Sequence, residues 1–410
     1  MSLDIAQLDV FRVNSLGHEI KVGRLAQANR QVYFQYDEDY LKQGHCLSPF
    51  RLKFSQELQI NIDKSQPLQG VFADSLPDGW GRLLMDRWLR QQGYLPQQVS
   101  LMSRLALVGD RGMGALRYRP VHPIADDSLL HLHEIGQQAQ AIFEGHHEDV
   151  LPQLVNVASS GGARPKALIY LNPDNQQIVS QAQRGYEPWL IKFTSNSLAL
   201  GHDEGRCEAA YLTMAEKVGI TVPKWRLHAH QQQAWLMVKR FDAPSALGRL
   251  HMHSAAGLLD ANFREPSLDY EDLIKVTTKL CQSVAAAKQQ FLRALFNWYA
   301  CNMDDHSKNW AFLQNDEGQW QLSPMFDVTF SPNSYGEHMT AFAGYGKYPP
   351  QKALMRLAQH AGIGQWSEVQ NMINQIKSVL STWPQIAKEL EVSESNTRMI
   401  MKALDERLST

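Results

Sequence analysis

The chain has 410 residues, of which 44% are apolar and 20% charged, with a formal net charge of −2. That length supports two or three domains with a substantial core, and that charge excludes a whole-molecule field that would draw nucleic acid or an anionic membrane. Cys46, Cys207, Cys281 and Cys301 form no C-x-x-C pair and stand near no His at zinc-ligand spacing, so they read as reduced thiols of a cytoplasmic protein.

The first twenty residues carry charges and no apolar run, which predicts no signal peptide. No eighteen consecutive apolar residues occur, which predicts no membrane span. Strand-like alternation marks Val10–Val13, Lys21–Leu25 and Val32–Tyr36. Ser75-Leu76-Pro77-Asp78 resembles a capping-box start, and Trp80, Leu83, Leu84 and Trp88 then recur at helical spacing, a stripe best read as core packing. Val99–Val108 reads as a short helix, Gly112–Tyr118 leads into a strand, and Leu129–Glu144 is helical. The polar run Gly145-His146-His147-Glu148-Asp149 marks a domain junction.

A Gly-rich loop at Ser159–Ala163 follows, then strands at Lys166–Leu171 and Trp189–Thr194. A helix from Glu204 to Val218 stops at Gly219. Strands Lys224–Ala229 and Ala234–Phe241 complete the order of a protein-kinase N-lobe. Beyond residue 250 helices dominate: His253–Asp260, Tyr270–Cys281, Val284–Cys301, Gln351–His360, Gln365–Thr382 and Ser393–Leu408. Trp310–Leu313 and Trp320–Leu322 form a hairpin turning at Asp316-Glu317-Gly318. The fold class is α+β, a protein-kinase-like two-lobe fold: a mixed β/α N-lobe with an extra N-terminal subdomain over residues 1–148, the N-lobe proper over 149–245, and a mainly helical C-lobe over 246–410.

The chemistry concentrates in Asn302-Met303-Asp304-Asp305-His306-Ser307-Lys308-Asn309 and in Phe326-Asp327-Val328. One carboxylate can take a proton from a hydroxyl nucleophile, while an Asn amide oxygen and a second carboxylate can hold Mg²⁺ on phosphates. A solvated loop at the end of a helix is the competing reading for an isolated D-x-x-x-x-N. Lys192 weighs against it, because a lone Lys in the apolar strand Glu187–Phe193 is either an edge residue in solvent or, when buried, paired. Glu208 on the next helix is the candidate, and Lys192 then serves as a point charge for the α- and β-phosphates. Backbone N–H groups of Ser160, Gly161, Gly162 and Ala163 can wrap phosphates, with Lys166 adding charge. Lys239 and Phe241 sit where the lobes join and offer backbone groups to an adenine edge. His306 takes a positioning role beside Asp304, and Lys308 is a further candidate ATP contact. The remaining histidines read as no metal site.

These segments resemble the HipA-type serine/threonine kinases of bacterial type II toxin–antitoxin modules over nearly the whole length. Phe72-Ala73-Asp74-Ser75-Leu76-Pro77-Asp78-Gly79-Trp80-Gly81 is similar to the family's N-terminal signature, Asp304–Asn309 to its catalytic loop, and Leu322–Asp327 to its metal-binding segment. The resemblance implies Asp304 as catalytic base, Asn309 and Asp327 as Mg²⁺ ligands, Lys192 on the ATP phosphates, and Lys239 and Phe241 at adenine. It implies autophosphorylation of a loop serine, Ser159 with the adjacent Ser160 as the alternative, that expels the loop and inactivates the kinase. It also implies a HipB-like DNA-binding antitoxin, contact with DNA only through that partner, and a translation-related protein substrate such as an aminoacyl-tRNA synthetase. Two other readings stand beside it: a kinase-fold co-repressor scaffold with little catalysis, and a small-molecule kinase.

Overall fold

The computed structural model describes residues 3–29, 31–61, 63, 66–122, 124, 132–146, 149–158, 161–230 and 233–409. The chain opens with strands β1 (Gln7–Val13), β2 (Glu19–Ala28) and β3 (Gln31–Tyr36). Helices α1 (Glu38–Gln43), α2 (Gly70–Ala73), α3 (Gly79–Gln91) and α4 (Leu101–Val108) follow, then strand β4 (Leu116–Arg119). The sheet runs β3-β2-β1-β4, antiparallel throughout. Strand alternation turns Leu8, Val10, Leu25 and Phe34 inward against Phe72, Met102 and Leu105.

Helices α5 (Leu132–Phe143) and α6 (Pro152–Val157) lead to a second antiparallel sheet. It comprises β5 (Lys166–Leu171), β6 (Ile178–Val179), β7 (Glu187–Lys192), then α7 (Glu204–Lys217), β8 (Trp225–His230) and β9 (Gln233–Lys239), in the order β6-β5-β7-β9-β8. Its two faces carry different cover. On one, Leu236 and Val238 join the cluster that contains Tyr211 and Met214 of α7. On the other, Ile169, Ile191 and Trp235 meet Trp80 and Leu84 of α3, Ile135 of α5 and Leu154 of α6. The apolar stripe of α3 therefore belongs to the core over the second sheet.

The remainder is strand β10 (His251–Ser254), α8 (Ala255–Leu259), β11 (Leu268–Asp269), α9 (Tyr270–Cys281), α10 (Val284–Tyr299), β12 (Ala311–Gln314), β13 (Trp320–Leu322) and β14 (Thr340–Ala341). Helices α11 (Gln351–His360), α12 (Trp366–Leu380), α13 (Trp383–Glu389) and α14 (Glu394–Leu408) complete it. The side chains of Asp269, Ser283 and Ser393 accept backbone N–H groups as caps of α9, α10 and α14, each worth about 1 kcal/mol. Helix α10 buries Phe291, Leu295, Phe296 and Trp298 and is the axis of the helical lobe. This two-lobe α+β architecture is the expected fold class.

Local expectations fail at identifiable places. Ser75 caps no helix: α3 starts at Gly79, and the Ser75 hydroxyl bonds Tyr118 Oη at 2.7 Å. The helix expected over His253–Asp260 is strand β10 followed by α8, with Ser254 Oγ accepting the Gly257 N–H at 3.1 Å as the cap. Strand pairing with β12 supplies the backbone partners that a helix would otherwise provide. Helices α6 and α13 and the two-residue β6 are additions, too short to display a period. The junction residues His147 and Glu148 lie outside the described residues.

Candidate active site

Helix α10 delivers the loop 302–309 to a cleft beneath the second sheet. Cys301, at φ +54°, turns the chain out of the helix. Asp305 then points inward and is fully buried. Its carboxylate accepts the Tyr270 hydroxyl at 2.6 Å, His338 Nδ1 at 2.9 Å, and the Met339 and Thr340 N–H groups at 2.8 and 3.1 Å. Its carbonyl accepts Trp310 Nε1–H at 3.0 Å. A buried carboxylate without such donors would cost several kcal/mol, so these bonds hold the loop in one shape and leave Asp304 facing the cleft.

The Asp304 side chain is 62% exposed. The cleft walls still raise its pKa by limiting hydration, the nearby Asp327 charge adds to that, and His306 opposes it. His306 Nε2 lies 3.9 Å from Asp304 Oδ1, and its Nδ1 accepts the Lys308 N–H at 3.3 Å. The bond at Nδ1 assigns the ring proton to Nε2, toward Asp304. Asn309 donates its side-chain amide to the Asp304 carbonyl at 2.7 Å, which leaves the amide oxygen for other duties.

Across the cleft, β5 and β7 place Lys166 directly opposite Lys192. Like charges facing each other across a ladder repel, and the charges of Asp327 and Glu208 offset that repulsion. Lys192 Nζ donates to both Glu208 oxygens at 2.6 and 2.8 Å and pairs with Asp327. Burial pushes Asp327 up, but Lys192, Lys166 and Arg164 outweigh it and hold the carboxyl far below its ordinary range. Burial likewise lowers Lys192, yet Asp327 and Glu208 leave it raised overall. Lys166 goes the other way, lowered by burial and by the Lys192 charge. Asp327 itself has φ +56°, an outlier for a non-Gly residue that the paired side chain holds in place.

The Gly-rich loop lies over this group. Lys166 Nζ donates to the Gly161 carbonyl at 2.8 Å, and Gly162 adopts φ +97°. Arg164 pairs with Glu204 at 2.8 Å, a contact with no signature in the sequence spacing. Ser159 and Ser160 lie outside the described residues. Asp78, unassigned by the motif reading, accepts the Gly162 N–H and pairs with Lys308. Lys308 also stands over the Phe263 ring, 4.3 Å from its centroid.

At the lobe junction the expectation for Lys239 needs correction at one atom. Its N–H donates to the Lys224 carbonyl at 2.8 Å within the sheet, so that group is not offered to the cleft. Its side chain pairs with Glu187 at 2.5 Å. The Phe241 ring packs on Phe326 with centroids 5.3 Å apart. Gly161, Gly162, Ala163, Lys166, Lys192, Glu208, Lys239, Phe241, Asp304, His306, Lys308, Asn309 and Asp327 all line one cavity of about 520 Å³. That volume suits a small-molecule or cofactor ligand. Among the described residues no three His, Cys, Asp or Glu side chains form a metal cage, and none of the helices is long and apolar enough to cross a membrane.

The HipA-like C-terminal domain family matches residues 158–383, more than half of the chain, and the HipA N-terminal domain family matches residues 15–119. The chain is similar in structure to HipA from the Shewanella oneidensis MR-1 toxin–antitoxin complex of HipA, HipB and operator DNA. The TM-score is 0.68 at 16% identity, covering 98% of this chain and 95% of that one. A partial likeness to the Helicobacter pylori proinflammatory kinase CtkA, with TM-score 0.35, 14% identity and coverage of 56% of this chain and 90% of that one, is too low to carry weight. No curated protein matches the chain in sequence. With both domain families matched in order along one continuous fold, the chain belongs to the HipA family.

Proposed function

We propose that the chain is a serine/threonine protein kinase toxin dependent on Mg-ATP. The observation that carries this reading is the convergence on one cavity of Asp304, Asn309, Asp327 and the Lys192–Glu208 pair from four separate segments. The donor set fits the ligand. Lys166, Lys192 and Arg164 place three cations around one carboxylate, a charge balance suited to phosphates. Mg²⁺ is commonly held by one or two protein groups plus phosphates rather than by a protein cage, and Asp327 with the Asn309 amide oxygen provides such a pair. When bound, Mg-ATP supplies the phosphoryl group to be transferred.

The protein's residues do the rest. Glu208 would hold Lys192 for the phosphates, Lys166 and the Gly161–Ala163 backbone would contact them, and the Phe241 backbone would meet the adenine. Lys308 is at the rim. Asp304 accepts the proton of the substrate hydroxyl as the oxygen is held in line, and His306 orients that carboxylate. Autophosphorylation at Ser159, or Ser160, would add a charge of roughly −1.5 to −2 to the loop and repel it from the phosphates. The structural likeness to a toxin solved with HipB and operator DNA supports a HipB-like antitoxin as partner, with DNA reached through it. A translation-related protein, an aminoacyl-tRNA synthetase foremost, is the proposed substrate, and the cytoplasm the site of action.

The test is label transfer from γ-labelled Mg-ATP, alone and with cell extract, by the wild type and Asp304→Asn. The wild type is expected to label protein, and the variant to be slower by about 10²–10⁴-fold. No transfer by the wild type would favour an antitoxin-binding scaffold, and label on a metabolite alone would favour a small-molecule kinase. Either result overturns the proposal.

A further inference from the structure

Asp78 occupies the N-cap position of α3, yet its side chain makes no cap bond. Its carboxylate instead leaves its own helix. One oxygen accepts the Gly162 N–H and the other pairs with Lys308 Nζ, and the side chain is only 10% exposed. The neighbours of Asp78 grip the same loop. Trp80 N–H donates to the Gly162 carbonyl at 2.9 Å, and Trp80 Nε1–H donates to the Lys166 carbonyl at 3.2 Å. Gly79 has φ +43°, and a Cβ there would lie 2.6 Å from the Gly162 carbonyl oxygen and 2.7 Å from Ala163 Cα. Both backbone polar groups of Gly162 are thus bound by Asp78 and Trp80, and the Gly79 between them leaves room for the loop to approach.

We infer that Asp78 is a positioning residue that bridges the Gly-rich loop to the catalytic-loop segment, setting the gap between them through the Gly162 N–H and Lys308. Lys308 is adjacent in sequence to Asn309 and four residues from Asp304, so the bridge fixes the rim of the loop that carries both. A carboxylate is required because it must accept an amide N–H and neutralise a cation at once. Burial disfavours its charge, while Lys308, the Gly162 N–H and the more distant Lys166 overcome that and keep it ionised. Asn would retain one acceptor and lose the ion pair. The start of α3 thereby acts on the site while its indole and leucines remain in the core over the second sheet. The bridge itself stands on the geometry alone; its bearing on phosphate binding rests on the kinase reading.

The experiment is amide hydrogen exchange of the nucleotide-free full-length protein over residues 161–166, comparing wild type, Asp78→Asn, Lys308→Met and the double variant. Binding of Mg-ATP and ATP KM against kcat are measured on the same samples. Each single variant is expected to speed exchange of the loop by about tenfold or more, as loss of one buried charge-assisted contact implies. The double variant should add little to either, because both remove one bridge. ATP KM should rise more than kcat falls, and Asp78→Glu should recover part of the loss. Lys308→Met keeps the test open if Asp78→Asn does not fold. Unchanged loop exchange in both single variants, with the wild type binding Mg-ATP, overturns the bridge and spares the kinase reading. Faster exchange in both, with no nucleotide bound by the wild type, upholds the bridge and removes the kinase reading.

Discussion

Asp304 and Asp305 are adjacent acids with opposite fates. Asp305 is saturated by four donors and buried, while Asp304 faces the cleft with the His306 ring 3.9 Å away. In its proposed role as base Asp304 works only when ionised, and its pKa is raised, so activity is expected to fall as pH drops through that raised value. His306 lowers the Asp304 pKa, so its removal should raise it further. His306→Ala is therefore expected to move the acidic limb of the kcat/KM profile to higher pH, with a modest loss at the plateau. An unmoved limb would separate His306 from the ionisation of Asp304. The motif spacing made Asp304, Asn309 and Asp327 visible because each sits in a recognisable local run. Asp78 and Arg164 stayed hidden because their partners, Lys308 and Glu204, are distant in sequence.

The loop 302–309 owes its shape to other elements: Asp305 draws one donor from α9, two from the segment that enters β14, and one from β14 itself. Asp305→Ala should strand Tyr270 Oη and His338 without their acceptor. A loss of about 3 kcal/mol in unfolding free energy is expected from breaking such a buried set, checked by denaturant titration. A change below the error of extrapolation would show that the anchor is dispensable. Elements long enough to repeat their pattern, such as α9 and α11, were legible to the residue. The β10–α8 segment was misread because His251, Met252 and His253 carry no period and take their strand form from pairing with β12.

At the scale of the whole molecule, the N-terminal region is built into the kinase-like lobes. Trp80, Leu84 and Ile135 cover one face of the second sheet. The Asp74 carboxylate accepts His253 Nδ1–H at 2.7 Å and the Ser254 N–H and hydroxyl at 2.7 and 2.6 Å. A chain starting at residue 149 would expose Ile169, Ile191 and Trp235 to water, at roughly 1.5–3 kcal/mol for each large side chain. Such a truncation is expected to aggregate on size-exclusion chromatography, and a monomer with a cooperative melt would refute the shared core.

Composition, period and local motif together determined the two-lobe class, most long elements and the residues that make the cleft polar, because those signals are carried by neighbours along the chain. The tertiary structure alone decided which of two adjacent acids faces the cleft, which sheet the α3 stripe covers, and that Asp78 leaves its helix to join two loops. Those outcomes depend on contacts between residues as many as 230 positions apart, and no local periodicity records which distant donor a buried carboxylate will find.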